Sequence, residues 1–131
     1  ASLGEPAEAV AFRIPVQAEG FSGYADGILH ELKGLIASGE CTPENPCNGR
    51  CRCGMTLVEP NYEGIRVACD EQNGNGWFLL RKSLHEPLMP LNIESNQAGG
   101  CGIIAGKIAD LLGIYSALDL TALRGEEAGE V

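Results

Sequence analysis

Gly76-Trp77-Phe78-Leu79-Leu80-Arg81-Lys82-Ser83-Leu84-His85-Glu86-Pro87, running directly into Leu88-Met89-Pro90-Leu91-Asn92-Ile93, decides how the rest of the chain is read. Two strand-like segments flank a short polar loop that carries a guanidinium, a hydroxyl and an imidazole. Pro87 keeps the loop from extending into a helix, because it fixes φ and donates no N–H. A phosphate ester is well matched by one Arg fork, hydroxyl donors and backbone N–H groups in a tight turn. Arg81, Ser83 and the turn through Leu84-His85 place that set in one loop. The bland alternative is that Arg81 pairs with an acid such as Glu86, Ser83 caps a turn and His85 is merely exposed.

On the N-terminal side of this stretch, Glu63-Gly64-Ile65-Arg66-Val67-Ala68-Cys69 alternates at period two with Ile65, Val67 and Cys69 inward. Asp70 to Gly76 then supplies a hairpin turn with Asn-Gly chemistry suited to positive φ. Leu88 to Ser95 is a further strand with Met89, Leu91 and Ile93 on one face, and Asn96 to Gly102 is a turn. A second helix is expected from Gly102 to about Leu118, with Ile104, Ile108, Leu111, Leu112 and Tyr115 on one stripe. Before the insertion, Val10 to Val16 alternates, and Pro15 marks it as an edge strand. Phe21 to Ser38 carries Tyr24, Ile28, Leu32, Leu35 and Ile36 at helical spacing, with Ser22 as N-cap and Gly39 just past the end. Met55 to Val58 is a short apolar run.

These elements predict an α+β fold: a two-layer arrangement of a mainly antiparallel four-stranded sheet with two helices on one face. Arg13, Arg66 and Asp70 suggest that the other face is partly open. Residues 1–8 read as a leader, 9–120 as one domain with a cysteine-rich insertion at 40–54, and 121–131 as an acidic tail. At 131 residues the chain fits one domain able to bury a core without cross-links. Its net charge of −9 argues against a nucleic-acid partner, which needs a basic face; only Arg50, Arg52 and the Arg81-Lys82 pair cluster at all. Acids at the ends, Glu5, Glu8, Glu126, Glu127 and Glu130, read as solvated tails. No apolar stretch approaches a membrane span and no secretory signal is visible, so no membrane partner is expected and the expected compartment is the cytoplasm, or a plastid in a photosynthetic source.

The insertion Cys41-Thr42-Pro43-Glu44-Asn45-Pro46-Cys47-Asn48-Gly49-Arg50-Cys51-Arg52-Cys53 holds four of the six cysteines. Its C-x5-C-x3-C-x-C spacing lacks the C-x2-C pairs usual in structural zinc sites. Zinc, local disulfides and free thiols all stay open, and no metal residue is assigned. Cys69 and Cys101 read as small core residues.

Three blocks in register, Tyr62-Glu63-Gly64-Ile65-Arg66-Val67, then Gly76 to Pro87, then Leu91-Asn92-Ile93-Glu94, resemble the C-terminal domain of the α-D-phosphohexomutases, the phosphoglucomutase and phosphomannomutase family. There, a D-G-(V/I)-(R/K)-V segment precedes G-W-x-L-(V/L)-R and a phosphate loop of the kind R-x-S-(G/N)-T-E-P. The resemblance implies a TBP-like α+β unit that grips the phosphate of a hexose phosphate or bisphosphate which is not reacting. By carry-over, Arg81 is the charge-matching fork and Ser83 a hydroxyl donor. His85 stands where Thr is common, and Leu84 stands where Gly or Asn is usual and contributes only its backbone N–H. The family's phosphoserine segment, its D-G-D-x-D-R metal loop and its G-E-x-S-G sugar loop do not occur in the sequence. The resemblance therefore implies a domain that does not turn over by itself, with no cofactor of its own, Mg²⁺ in the complete enzyme, and the remaining domains of a parent isomerase as partners. Two other readings compete: a non-catalytic subunit of a larger assembly, and a zinc or redox module built on Cys41, Cys47, Cys51 and Cys53.

Overall fold

A computed structural model describes residues 6–59 and 64–125. In chain order it contains β1 (Glu8–Pro15), α1 (Phe21–Ala37), β2 (Met55–Leu57), β3 (Gly64–Cys69), a single 3₁₀ turn (Glu71–Asn73), β4 (Gly76–Arg81), β5 (Leu88–Ser95) and α2 (Gly100–Leu112). The sheet has five strands in the order β1-β5-β4-β3-β2, and every pairing is antiparallel. The expected count of four strands is corrected to five. The apolar run at Met55 is a three-residue edge strand whose Met55 and Leu57 lie opposite Cys69 and Val67. It is too short for alternation to announce it, and its partner supplies the register.

Alternation along each strand sets which face is buried. Ile65, Val67 and Cys69 on β3, Phe78 and Leu80 on β4, and Met89, Leu91 and Ile93 on β5 point inward and are almost fully excluded from water. They meet Ala25, Ile28, Leu32 and Ile36 of α1 and Ile104, Ala105, Ile108, Leu111 and Leu112 of α2 in one apolar cluster. Each large side chain so buried contributes about 1.5–3 kcal/mol. Helix α1 carries the chain from the β1 edge to the β2 edge and packs on β2 and β3, while α2 covers β5, β4 and β1. The outward side chains Arg66, Trp77, Leu79, Arg81 and Asn92 remain only half covered. On that outer face the Arg66 guanidinium stacks over the Trp77 ring, 4.2 Å from its centroid.

The helix ends depart from the sequence expectation. Gly20, in the left-handed region at φ 64°, precedes α1 without a side-chain cap. Ser22 instead accepts a hydrogen bond from Lys82 Nζ. Helix α2 stops at Leu112, not near Leu118, because Gly113 favours continuation weakly and the chain turns there to bridge Leu118 to Val16 beside β1. The N-terminus of α2 is served from across the fold: the Glu8 carboxylate accepts the N–H groups of Gly99 (2.8 Å) and Cys101 (3.1 Å). Those bonds hold the Glu8 carboxyl below the usual carboxylate range. Glu8, grouped above with the solvated acids, is thus the first residue of β1 and the cap of α2.

Two glycines make the junction possible. Gly74 turns the hairpin at φ 103°, and a Cβ there would meet Ile104 at 2.3 Å. A Cβ on Gly100 would fall 1.8 Å from Ser95 Oγ, so α2 starts in direct contact with the end of β5. Glu5, Tyr62, Glu63 and the acids Glu126, Glu127 and Glu130 lie outside the described residues.

Candidate functional site

The loop between β4 and β5 hangs from two adjacent, hydrogen-bonded strands, so its base is fixed by the ladder. The base is closed further by Ser83 N–H donating to Leu88 O (3.2 Å) and Leu88 N–H donating to Glu86 O (2.7 Å). Val16 N–H donates to Pro87 O at 2.7 Å and ties the loop to the end of β1. Lys82 points the other way. Its ammonium lies 3.0 Å from Asp26 Oδ1 and bonds Ser22 Oγ, which moors the loop to the first turns of α1.

Within this frame the four predicted site residues have unequal roles. Ser83 Oγ accepts the Glu86 N–H at 3.2 Å, so the hydroxyl is fixed in a local turn while its own O–H stays available. Glu86 pairs with Arg13 at 2.8 Å and not with Arg81. Leu84 is 77% exposed at the loop tip and His85 is exposed beside it. The N–H groups of Leu84 and His85 have no partner among the described residues. Arg81, on the outer face of the sheet, keeps its Nε buried with no hydrogen-bond partner there. A buried guanidinium N–H left unmade costs about 1–3 kcal/mol, so native structures seldom leave one without a purpose. The bland alternative thus describes Ser83 and His85, while among the described residues no acid pairs with Arg81. Arg81 at the end of β4, the Ser83 hydroxyl and the two open N–H groups thus fall within five consecutive residues. Together these can hold a compact anion.

The second cluster lies in the connection between α1 and β2. Residues 38–54 form neither helix nor strand, and all six cysteines of the chain are free thiols. A tight turn at Cys47-Asn48-Gly49-Arg50, with Asn48 at φ 50°, Gly49 at φ 78° and Arg50 N–H donating to Cys47 O at 2.8 Å, folds the loop back on itself. It brings Sγ of Cys41, Cys47, Cys51 and Cys53 within 4.8 Å of one another. The spacing read as unlike a zinc pattern nevertheless closes into a four-thiol cluster, because the turn does the work that C-x2-C knuckles do elsewhere. Arg52 ties the loop together from within, and Arg50 holds it against α2. Arg52 is buried, donating Nε to Gly39 O (2.9 Å), Nη2 to Asn45 O (3.1 Å) and Nη1 to Cys41 Sγ (3.5 Å). Arg50 donates Nε to Leu111 O (3.0 Å) and Nη2 to Tyr115 OH (3.2 Å), and its guanidinium stacks over the Tyr115 ring.

Crowding the thiols divides their acidities. Burial works to raise Cys41, but hydrogen bonds from Cys47, the Arg52 backbone N–H and Cys53, with the Arg52 charge, outweigh it and bring the thiol to about 7. Its hydrogen bond to Cys41, together with burial, pushes Cys47 up to about 12. Tyr115 is also pushed up to about 12, by burial and by its hydrogen bond to Glu31. Cys69 and Cys101 sit in the core, as expected, and burial raises both thiols.

The sequence reading did not single out Lys82, Arg50, Arg52 or Glu8 as positioning residues. The hydrogen-bond partners of the Lys82, Arg50 and Glu8 side chains lie more than 50 positions away, and those of Arg52, 7 to 13 positions away, share a loop with no periodic pattern to mark them. A scan against protein-family models and a search of curated proteins found no match to this chain.

Proposed function

We propose that the chain is the substrate-phosphate-binding, C-terminal-type domain of a phosphohexomutase, and that it grips the phosphate of the sugar that is not reacting. The observation that carries this reading is the buried Nε of Arg81, which has no partner among the described residues, at the end of β4 and two to four positions before the Ser83 hydroxyl and the open N–H groups of Leu84 and His85. A phosphate oxygen accepting from Arg81 would remove the one unmet buried side-chain donor found among the described residues.

The five-stranded antiparallel sheet with two helices on one face supports a TBP-like unit in this reading. The loop's strand-borne base and its tie to α1 through Lys82 suit a clamp that must hold one phosphate while the sugar turns its other end to the reacting centre. The Leu84 side chain points to solvent, so only its N–H serves, and His85 contributes N–H and imidazole. The phosphoserine and metal loops of the family do not occur in these 131 residues, so phosphoryl transfer, with its Mg²⁺, belongs to other domains of the parent isomerase. In this reading its place of work is that of the parent isomerase, the cytoplasm or a plastid.

Titrating ¹⁵N-labelled protein with inorganic phosphate and then with glucose 1,6-bisphosphate tests the reading. Amide shifts are expected at Arg81 to Glu86, saturating at lower concentration for the sugar bisphosphate. Shifts confined elsewhere, or none at millimolar ligand, would count against it.

A further inference from the structure

Residues 38–54 have no strand ladder or helix to order them, and no cross-link is present among their thiols. A long connection without secondary structure inside a compact domain is uncommon and needs another source of order. What converges in it is four thiols and one buried cation. We infer that Cys41, Cys47, Cys51 and Cys53 form a structural site for a single Zn²⁺ ion, a site that goes beyond the phosphate-binding role.

Three observations carry the assignment. The first is geometric. Four thiolates at about 2.3 Å from one Zn²⁺ in a tetrahedron stand about 3.8 Å apart. The four Sγ atoms here lie within 4.8 Å of one another, so a small contraction seats the ion. Two disulfides would instead require each sulfur to approach one partner closely and abandon the other two. An iron–sulfur cluster, with its several irons, spreads its cysteines more widely than one ion does.

The second is electrostatic. Arg52 is 1% exposed, and such burial is rare for an unpaired charge. No carboxylate lies within ion-pair distance of it among the described residues; its partners are two carbonyls and the Cys41 sulfur. Four thiolates around Zn²⁺ carry a net charge of −2, the counter-charge that the guanidinium lacks. An N–H donated to a ligating sulfur is also the usual way a surrounding shell fixes a ligand in place.

The third is mechanical. Arg52 reaches Gly39, just past the end of α1, and Arg50 reaches Leu111 in the last turn of α2 and Tyr115 just beyond it. An ion at the thiols would therefore lock both helix ends to one point and give the loop the core it does not have. On binding, each thiol passes its proton to solvent and its sulfur donates a lone pair to the ion; no electron is transferred.

The test uses the reduced full chain, stripped of metal and titrated with Co²⁺ alone as a spectroscopic probe. One equivalent is expected to produce the visible ligand-field and sulfur-to-metal charge-transfer bands of a tetrahedral thiolate site, and one equivalent of Zn²⁺ should bleach them. Cys51→Ser and Cys47→Ser should each abolish stoichiometric binding while circular dichroism keeps its helical signal. Cys69→Ala should bind as the parent does, and Arg52→Met should bind about tenfold more weakly. The assignment is overturned if the folded, reduced parent chain gives no such bands, if Cys51→Ser and Cys47→Ser both bind unchanged, or if protein purified without added metal carries iron in place of zinc.

Discussion

The two irregular loops of this domain solve opposite problems with the same residue type. The connection between β4 and β5 is short and borrows its rigidity from the strands on either side, with Lys82 as a mooring. Its arginine, Arg81, is left with an unused donor. The connection between α1 and β2 is long and has no strand ladder, and its arginines are engaged with carbonyls, a phenol and a thiol. A guanidinium that a loop does not need for its own order is one that a ligand can take.

Removing the arginines in turn should break or sharpen this contrast. Arg52→Met takes three hydrogen bonds from a buried site and leaves Gly39 O without its Arg52 donor, while Asn45 O keeps only the Thr42 N–H. We expect a loss of about 2–4 kcal/mol in urea unfolding, the largest effect in the series. Arg50→Met removes the bonds to Leu111 O and Tyr115 OH and the stacking contact, at a half-buried position, and should cost about 1–2 kcal/mol in the same measurement. Arg81→Met should behave in reverse. Deleting an unsatisfied buried donor leaves stability unchanged or raises it by up to about 1 kcal/mol, while phosphate affinity by NMR titration falls at least tenfold, about 1.4 kcal/mol. Equal stability losses at Arg52 and Arg81 would erase the distinction between the two loops.

The smallest effect is expected at Glu8, and it carries a pH signature. Its carboxyl is held below the usual range by the N–H groups of Gly99 and Cys101, so the folded state favours the charged form. The stabilisation is present above the unfolded carboxylate range and is lost as pH falls through the lowered folded value. Glu8→Gln should therefore melt below the parent at pH 7, and the two melting curves should converge in acid. A gap that persists at low pH would mean that the side chain acts by packing alone.

What could be read from the sequence follows from which forces are local. Alternation at Ile65, Val67, Cys69 and at Met89, Leu91, Ile93, and the stripe through Ile28, Leu32 and Ile36, each record a buried face within one element, and these positions are buried as expected. The strand at Met55–Leu57 escaped the count because three residues carry too little period, and pairing with β3 sets its register. Arg81, Ser83, Leu84 and His85 could be read as one polar loop between strands, but which acid pairs with which arginine could not. Arg13 reaches Glu86 across 73 positions, and only the β1–β5 register brings them together. The cysteine spacing was legible and pointed away from a cluster, because its closure depends on a positive-φ turn at Asn48-Gly49 and on Arg52.

The placing of β1 bears on how the domain folds. Strands β2 to β5 follow one another through short connections and can assemble from neighbours in the chain. Strand β1 must find β5, with its Glu8 carboxylate meeting an N–H 91 positions away. Loop closure over that span is paid before the contacts form, so β1 docking should come late and set the slow step of folding. The same strand should be the first to detach in native-state hydrogen exchange, carrying the cap of α2 with it.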